Sequence, residues 1–261
     1  MRRITIALAV LVVLVQSPSA TAQSDSTATA PVTSSTKPMP FGTGERMEYV
    51  AKYGFQHIGR GSMEVVGVED VRGRPAVHTN FRLKGRYLFF SANYVLESWV
   101  DQATFSSVRF TQDNDEDSND KDKVYEIFPD RQVYSVNNGA ELPSVVDPLD
   151  EGALLYYVRT MDLEVGQTYT LNRYFRPDRN PVIVKVLKKE TIKVPAGTFN
   201  TILVQPIIKS KGIFSEGGDA RVWLSDDKDR VMVQMRVKLK VATISLQLTS
   251  TRPATTPSPG Q

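Results

Sequence analysis

The chain has 261 residues, 41% hydrophobic and 23% charged, with 32 Lys and Arg against 29 Asp and Glu. These proportions exclude a disordered or membrane-spanning chain and describe a globular one. Cysteine is absent, which excludes a disulfide scaffold, thiolate metal sites, a cysteine nucleophile and a lipid-modified cysteine anchor.

The first element is not part of a fold. Arg2-Arg3 precede an uninterrupted apolar run over 4–15, followed by the small-residue pattern Ala20-Thr21-Ala22. Basic region, short apolar core and small-x-small site together predict a secretory signal peptide over 1–22. The run is too short to cross a bilayer, which takes about 20 residues. Two of the three net positive charges leave with this segment. Residues 23–40 are rich in Ser, Thr, Ala and Pro, and 252–261 are similar. Both are predicted to be disordered, because neither buries enough apolar surface to offset ordering entropy. The single domain between them, 41–251, is neutral. The basic pI of about 9.0 therefore argues for no nucleic-acid partner.

Alternation with period two dominates the body and predicts strands. Met47, Tyr49, Ala51 and Tyr53 alternate with charged and polar neighbours. Glycines 54, 59 and 61 carry the chain into a second strand over 62–69, and Arg72-Gly73-Arg74-Pro75 punctuates the way to a third over 76–84. Further strands follow at 94–101, 105–112, 123–128 and 131–136. One helix, about 147–162, opens on Asp147-Pro148 as N-cap and first-turn proline. Leu154, Leu155, Val158 and Met161 form its apolar stripe, and Gly166 its stop. Strands over 182–186, 198–208, 222–224 and 231–241 complete the pattern, with Ser225–Asp229 as a charged hairpin tip. The apolar parity shifts after Ala242, which predicts a bulge near Ala242-Thr243. The fold expected is mainly β, a strongly curved antiparallel sheet or partly open β-barrel with one packed helix.

Five segments appear in a recognisable order. They are Phe41-Gly42-x-Gly44-Glu45-Arg46-Met47-x-Tyr49, then 94–101, 147–159, Val194-Pro195-Ala196-Gly197-Thr198-Phe199 and Val222-Trp223-Leu224-Ser225-Asp226-Asp227. In that order and spacing the chain resembles the bacterial domain-of-unknown-function family 3108 over about 41–248. The resemblance implies an exported, β-rich envelope protein with no assigned activity, so it transfers no site residues. The acidic run over 113–122 stands outside the family pattern.

Candidate chemistry is sparse. The run Asp113-Asn114-Asp115-Glu116-Asp117 offers oxygen ligands suited to calcium, but Ser118 and Val124 occupy the glycine and glutamate positions of a calcium-binding loop. The other reading is a solvated hairpin tip. His57 and His78 lack a third ligand for zinc, and no nucleophile elbow, zinc-protease helix or phosphate loop appears. Asp226, Asp227 and Asp229 read as turn residues. The expectation is therefore no enzyme and no cofactor.

The aromatic group Tyr87, Phe89, Phe90, Tyr94 and Trp99 has two readings, a lip over a hydrophobic cavity or a plug of the sheet. Phe89, Phe90, Tyr94 and Trp99 are the candidate ligand-binding residues. Acidic residues dominate 113–164 and basic ones 185–240, with Arg236, Lys238 and Lys240 on one strand face. The functional expectation is an exported binding protein for an apolar or lipid-like ligand. The alternative is a structural partner of another envelope protein, acting through a sheet edge or the basic face.

Overall fold

The structure, a computed structural model, describes residues 39–87, 90–114, 123–209, 220–238 and 243–255. In β1 (Arg46–Tyr53) Met47, Tyr49 and Ala51 are buried and Glu48 is exposed, so the predicted alternation becomes an inner and an outer face. The chain continues through β2 (Gln56–Val71), β3 (Arg74–Tyr87), β4 (Phe90–Asp101), β5 (Ser107–Asn114), β6 (Lys123–Phe128), β7 (Val133–Val136) and β8 (Leu142–Pro143). Then come α1 (Glu151–Thr160), β9 (Thr168–Leu171), β10 (Val182–Val194), β11 (Gly197–Ile207), β12 (Arg221–Ser225), β13 (Met232–Lys238) and β14 (Thr243–Arg252).

Sequential neighbours pair antiparallel, and β1 also pairs with β14. That one non-local pairing joins the meander β1–β8 to the meander β9–β14 as a single 14-stranded sheet. Its edges, β8 and β9, do not pair with each other, so the sheet stays open. The curved antiparallel sheet with one helix is as expected, with longer strands than the alternation alone delimits.

The path from β1 to β2 shows why. The predicted bend over 54–61 shrinks to a tight turn at Gly54-Phe55, where Gly54 has φ 57°. Gly59 and Gly61 lie inside β2. Gly59 faces Gly85, and a Cβ on Gly59 would sit 2.1 Å from the Lys84 carbonyl oxygen. Glycine there permits close approach of two backbones, not a turn.

The helix is shorter than predicted. Asp147 adopts φ 48° and does not cap it. Asp150 is the N-cap, accepting from the Ala153 amide at 2.9 Å. Its carboxylate also accepts from Ser98 Oγ at 2.6 Å and Ser107 Oγ at 2.7 Å, so β4 and β5 select this aspartate over Asp147. The helix ends at Met161, which turns extended. Residues from Glu151 to Arg159 are all buried, where a single apolar stripe was expected. The curved sheet wraps α1, which fills the interior.

Two boundaries also move outward. Arg252 is the last residue of β14, and Thr255 N donates to Thr43 O at 2.8 Å, so 252–255 belong to the fold instead of the predicted tail. Pro40 O likewise accepts from Arg159 Nη2 at 3.4 Å. The bulge predicted at Ala242-Thr243 involves residue 242, outside the described residues. A bulge shown in β14 lies at Thr249, where the β1 register steps from Ser250 to Leu248.

Candidate functional site

The C-terminal end of α1 carries a buried charge pair. Arg159 donates to Glu45 through Nη1 at 2.6 Å and Nη2 at 2.9 Å, and through Nη2 to the Asp229 carbonyl at 2.9 Å. Its side chain is wholly buried, and that of Glu45 is 8% exposed. Such a pair is tolerated in low dielectric because the planar fork matches a carboxylate and Nη2 also reaches carbonyls. The guanidinium also lies over the Phe41 ring at 5.0 Å. Its Nε has no hydrogen-bond partner, and neither does the buried Tyr156 hydroxyl on the preceding turn. Burial pushes the Tyr156 phenol well up, so it stays neutral.

This pair borders a cavity of about 710 Å³. Met39, Phe41, Met47, Met161, Val231 and Ala254 give it apolar walls, while Lys228, Arg230 and Arg252 stand at its rim together with Asp227 and Asp229. The β12–β13 hairpin forms one side. Asp227 shapes that hairpin by accepting from Ser225 Oγ and from the Asp229 and Arg230 amides at 2.7–3.1 Å. These aspartates thus serve as turn residues. A second cavity of about 310 Å³ shares Met39, Phe41 and Ala254 and continues over Val65, Val68 and Val77. Chemically, the walls suit hydrocarbon, and the rim, where both signs of charge stand, suits a polar group.

Of the aromatic residues singled out in the sequence, Tyr94 and Trp99 do not line the cavity beside Arg159. Phe89 lies outside the described residues, and Phe90 is the first residue of β4, paired with Tyr87. Tyr94 faces α1 and donates to Glu151 Oε2 at 2.9 Å, with Gln112 Nε2 donating to its oxygen at 3.2 Å. Burial and the Glu151 carboxylate hold its phenol well above the usual range. Trp99 has the opposite parity on β4 and sits on the other face. There it stacks on His78 at 4.2 Å and donates to Glu69 at 2.7 Å. Tyr94 and Trp99 therefore share no site. Tyr94 meets the first turn of α1, about 12 Å along the helix from Arg159 at 1.5 Å per residue.

The histidines also stay apart, with His57 exposed on β2 and His78 held by Glu69 at 2.8 Å. Among the described residues no group of three His, Asp or Glu is placed to hold a metal ion. Asp113 and Asn114 end β5, and 115–122 lie outside the described residues. Among the described residues no helix is long and apolar enough to cross a membrane. The Glu45–Arg159 pair escaped the sequence reading. Its one local signal is an arginine on the helix that carries the apolar stripe.

The family model described as "Protein of unknown function (DUF3108)" matches residues 48–249. The chain belongs to this family. The match spans the sheet from β1 to β14 and includes α1, so the DUF3108 fold is the curved sheet with its enclosed helix. A comparison with curated proteins finds no match. Among solved structures, the chain is similar to a β-barrel-like protein of the domain of unknown function DUF1849 from Brucella abortus. The TM-score is 0.57 at 11% identity, covering 82% of this chain and 99% of that one. At that identity the likeness shows the fold alone. Two others are a candidate exported protein with a YmcC-like fold from Bacteroides fragilis and a candidate lipoprotein from Parabacteroides distasonis. They match with TM-scores of 0.32 and 0.33 at 11% and 12% identity, each over 82% of this chain and 98% of the other.

Proposed function

We propose that this DUF3108 protein is an exported, non-catalytic binding protein of the cell envelope that takes an apolar or lipid-like amphiphile. The observation that carries the reading is the cavity beside Arg159, whose volume of about 710 Å³ falls in the range of small-molecule sites. Met39, Phe41, Met47 and Met161 supply adaptable apolar contact, methionine being suited to ligands of varied shape. The mixed-charge rim, where Lys228, Arg230 and Arg252 stand among Asp227 and Asp229, meets a polar end group. An apolar tail in the cavity gains by area burial at about 25 cal/mol per Å². The leader predicted over 1–22 supports the envelope location. A partner pairing through a sheet edge is less well served, since β8 offers two residues, one of them proline, and β9 four.

A dansyl-labelled fatty acid titrated into the protein tests the reading. Saturable fluorescence enhancement is expected, and Ala254→Trp, which places an indole in the wall shared by both cavities, should abolish it. Enhancement that persists unchanged in that variant, or none with the native chain, overturns the assignment.

A further inference from the structure

The opposite end of the sheet carries a feature that the cavity does not use. Phe55, at the tip of the β1–β2 turn, is completely exposed. The outer face leading down from that end is basic. Arg60 on β2 stands directly opposite Lys84 on β3, and Arg221 on β12 directly opposite Arg236 on β13. Like charges directly opposite each other destabilise an antiparallel pair. Arg60, Lys84, Arg86 and Lys238 are all exposed. Among the described residues none of these four is in a salt bridge. By contrast Arg82 has Glu97 at 3.7 Å, and Arg236 lies over Trp223 at 5.4 Å. Carboxylates on this face include Glu48 and Glu64, both engaged by Arg46, Glu97, engaged by Arg82 and by Asn80, and Asp113, which also has a partner.

We infer that this end docks on an anionic lipid bilayer. Phe55 enters the headgroup boundary, while Arg60, Lys84, Arg86 and Lys238 face lipid phosphates. The Arg60–Lys84 repulsion favours a phosphate between the two cations, since each basic group gains near a negatively charged membrane surface. The exposed ring at the tip distinguishes a bilayer from a soluble polyanion. A ring exposed on a loop gains nothing from a hydrophilic polymer but is buried at the acyl boundary. This surface is independent of the ligand cavity and stands or falls separately from it.

The test is co-sedimentation of the full chain with vesicles of phosphatidylglycerol and phosphatidylethanolamine, with phosphatidylcholine vesicles for comparison. Binding to the anionic vesicles is expected, about tenfold or more above phosphatidylcholine and lost in high salt. Phe55→Ser should lower it about tenfold. Arg60→Glu should lower it similarly while leaving the melting temperature equal or higher, because it replaces a like-charge pair with an ion pair facing Lys84. Equal binding to both vesicle types overturns the inference. So does Arg60→Glu or Phe55→Ser binding as the native chain does. Binding that heparin removes and that is insensitive to Phe55→Ser assigns the face to a polyanion and also overturns it.

Discussion

Arg159 grips both carboxylate oxygens of Glu45, at 2.6 and 2.9 Å, across a sequence separation of 114 residues. The pair ties the last turn of α1 to the residue preceding β1, and through the Asp229 carbonyl to the β12–β13 hairpin. Removing one partner leaves a buried charge uncompensated, at about 3–5 kcal/mol. Arg159→Met should therefore lower the unfolding free energy by that amount, read as a lower urea midpoint at unchanged m-value. The double variant Glu45→Gln/Arg159→Met should recover part of the loss, having no bare charge to bury. A loss below about 1 kcal/mol in the single variant would show that the pair is not a clasp.

Elements built on local regularity were legible in the sequence. Met47, Tyr49 and Ala51 announce an inner face because strand side chains alternate, and Leu154, Leu155 and Val158 announce a helix. Relationships closed by the tertiary fold were not legible. Asp147 and Asp150 are equally good caps on local grounds, and only Ser98 and Ser107, arriving from β4 and β5, decide between them. Gly59 reads as a turn residue until Gly85 is placed opposite it. Tyr94 and Trp99 form an aromatic cluster along the chain, yet their odd separation places them on opposite faces. That separation follows from strand geometry, whereas the cavity is assembled from four separated stretches, 39–47, 159–161, 227–231 and 251–254, that no local pattern links.

Asp150 makes a pH-dependent contribution. Burial pushes its carboxyl up from an ordinary 3.8 to about 6, against the opposing hydrogen bonds from Ser98, Ala153 and Ser107. The folded state thus holds the proton more tightly than the unfolded state. Its stabilising contribution is full below 3.8 and is lost as pH rises through 6, by about 3 kcal/mol in all. Asp150→Asn, which keeps a capping oxygen, lacks this dependence. The stability of the native chain relative to the variant should therefore fall between pH 4 and 7 in parallel urea titrations. A difference that is flat with pH, or that rises, contradicts the assignment.

The β2–β3 contact at Gly59 predicts a steep steric penalty. A methyl group there meets the Lys84 carbonyl, which belongs to a paired backbone and cannot swing away. Gly59→Ala should cost about 1–3 kcal/mol, the range for overpacking. Gly67→Ala on the same strand, 4.0 Å from the Thr43 side chain, should stay within about 0.5 kcal/mol. Thermal denaturation of the two variants side by side provides the comparison. Equal penalties would mean that backbone approach is not what requires glycine at 59.

Occupancy of the cavity beside Arg159 is measured most directly by native mass spectrometry of the protein purified without detergent. The predicted spectrum shows one amphiphile per chain, released by organic extraction and regained on incubation with mixed fatty acids and phospholipids. Ala254→Trp should appear at its bare mass under the same conditions. A native chain that stays at its bare mass after incubation with those lipids would contradict a role in binding an amphiphile.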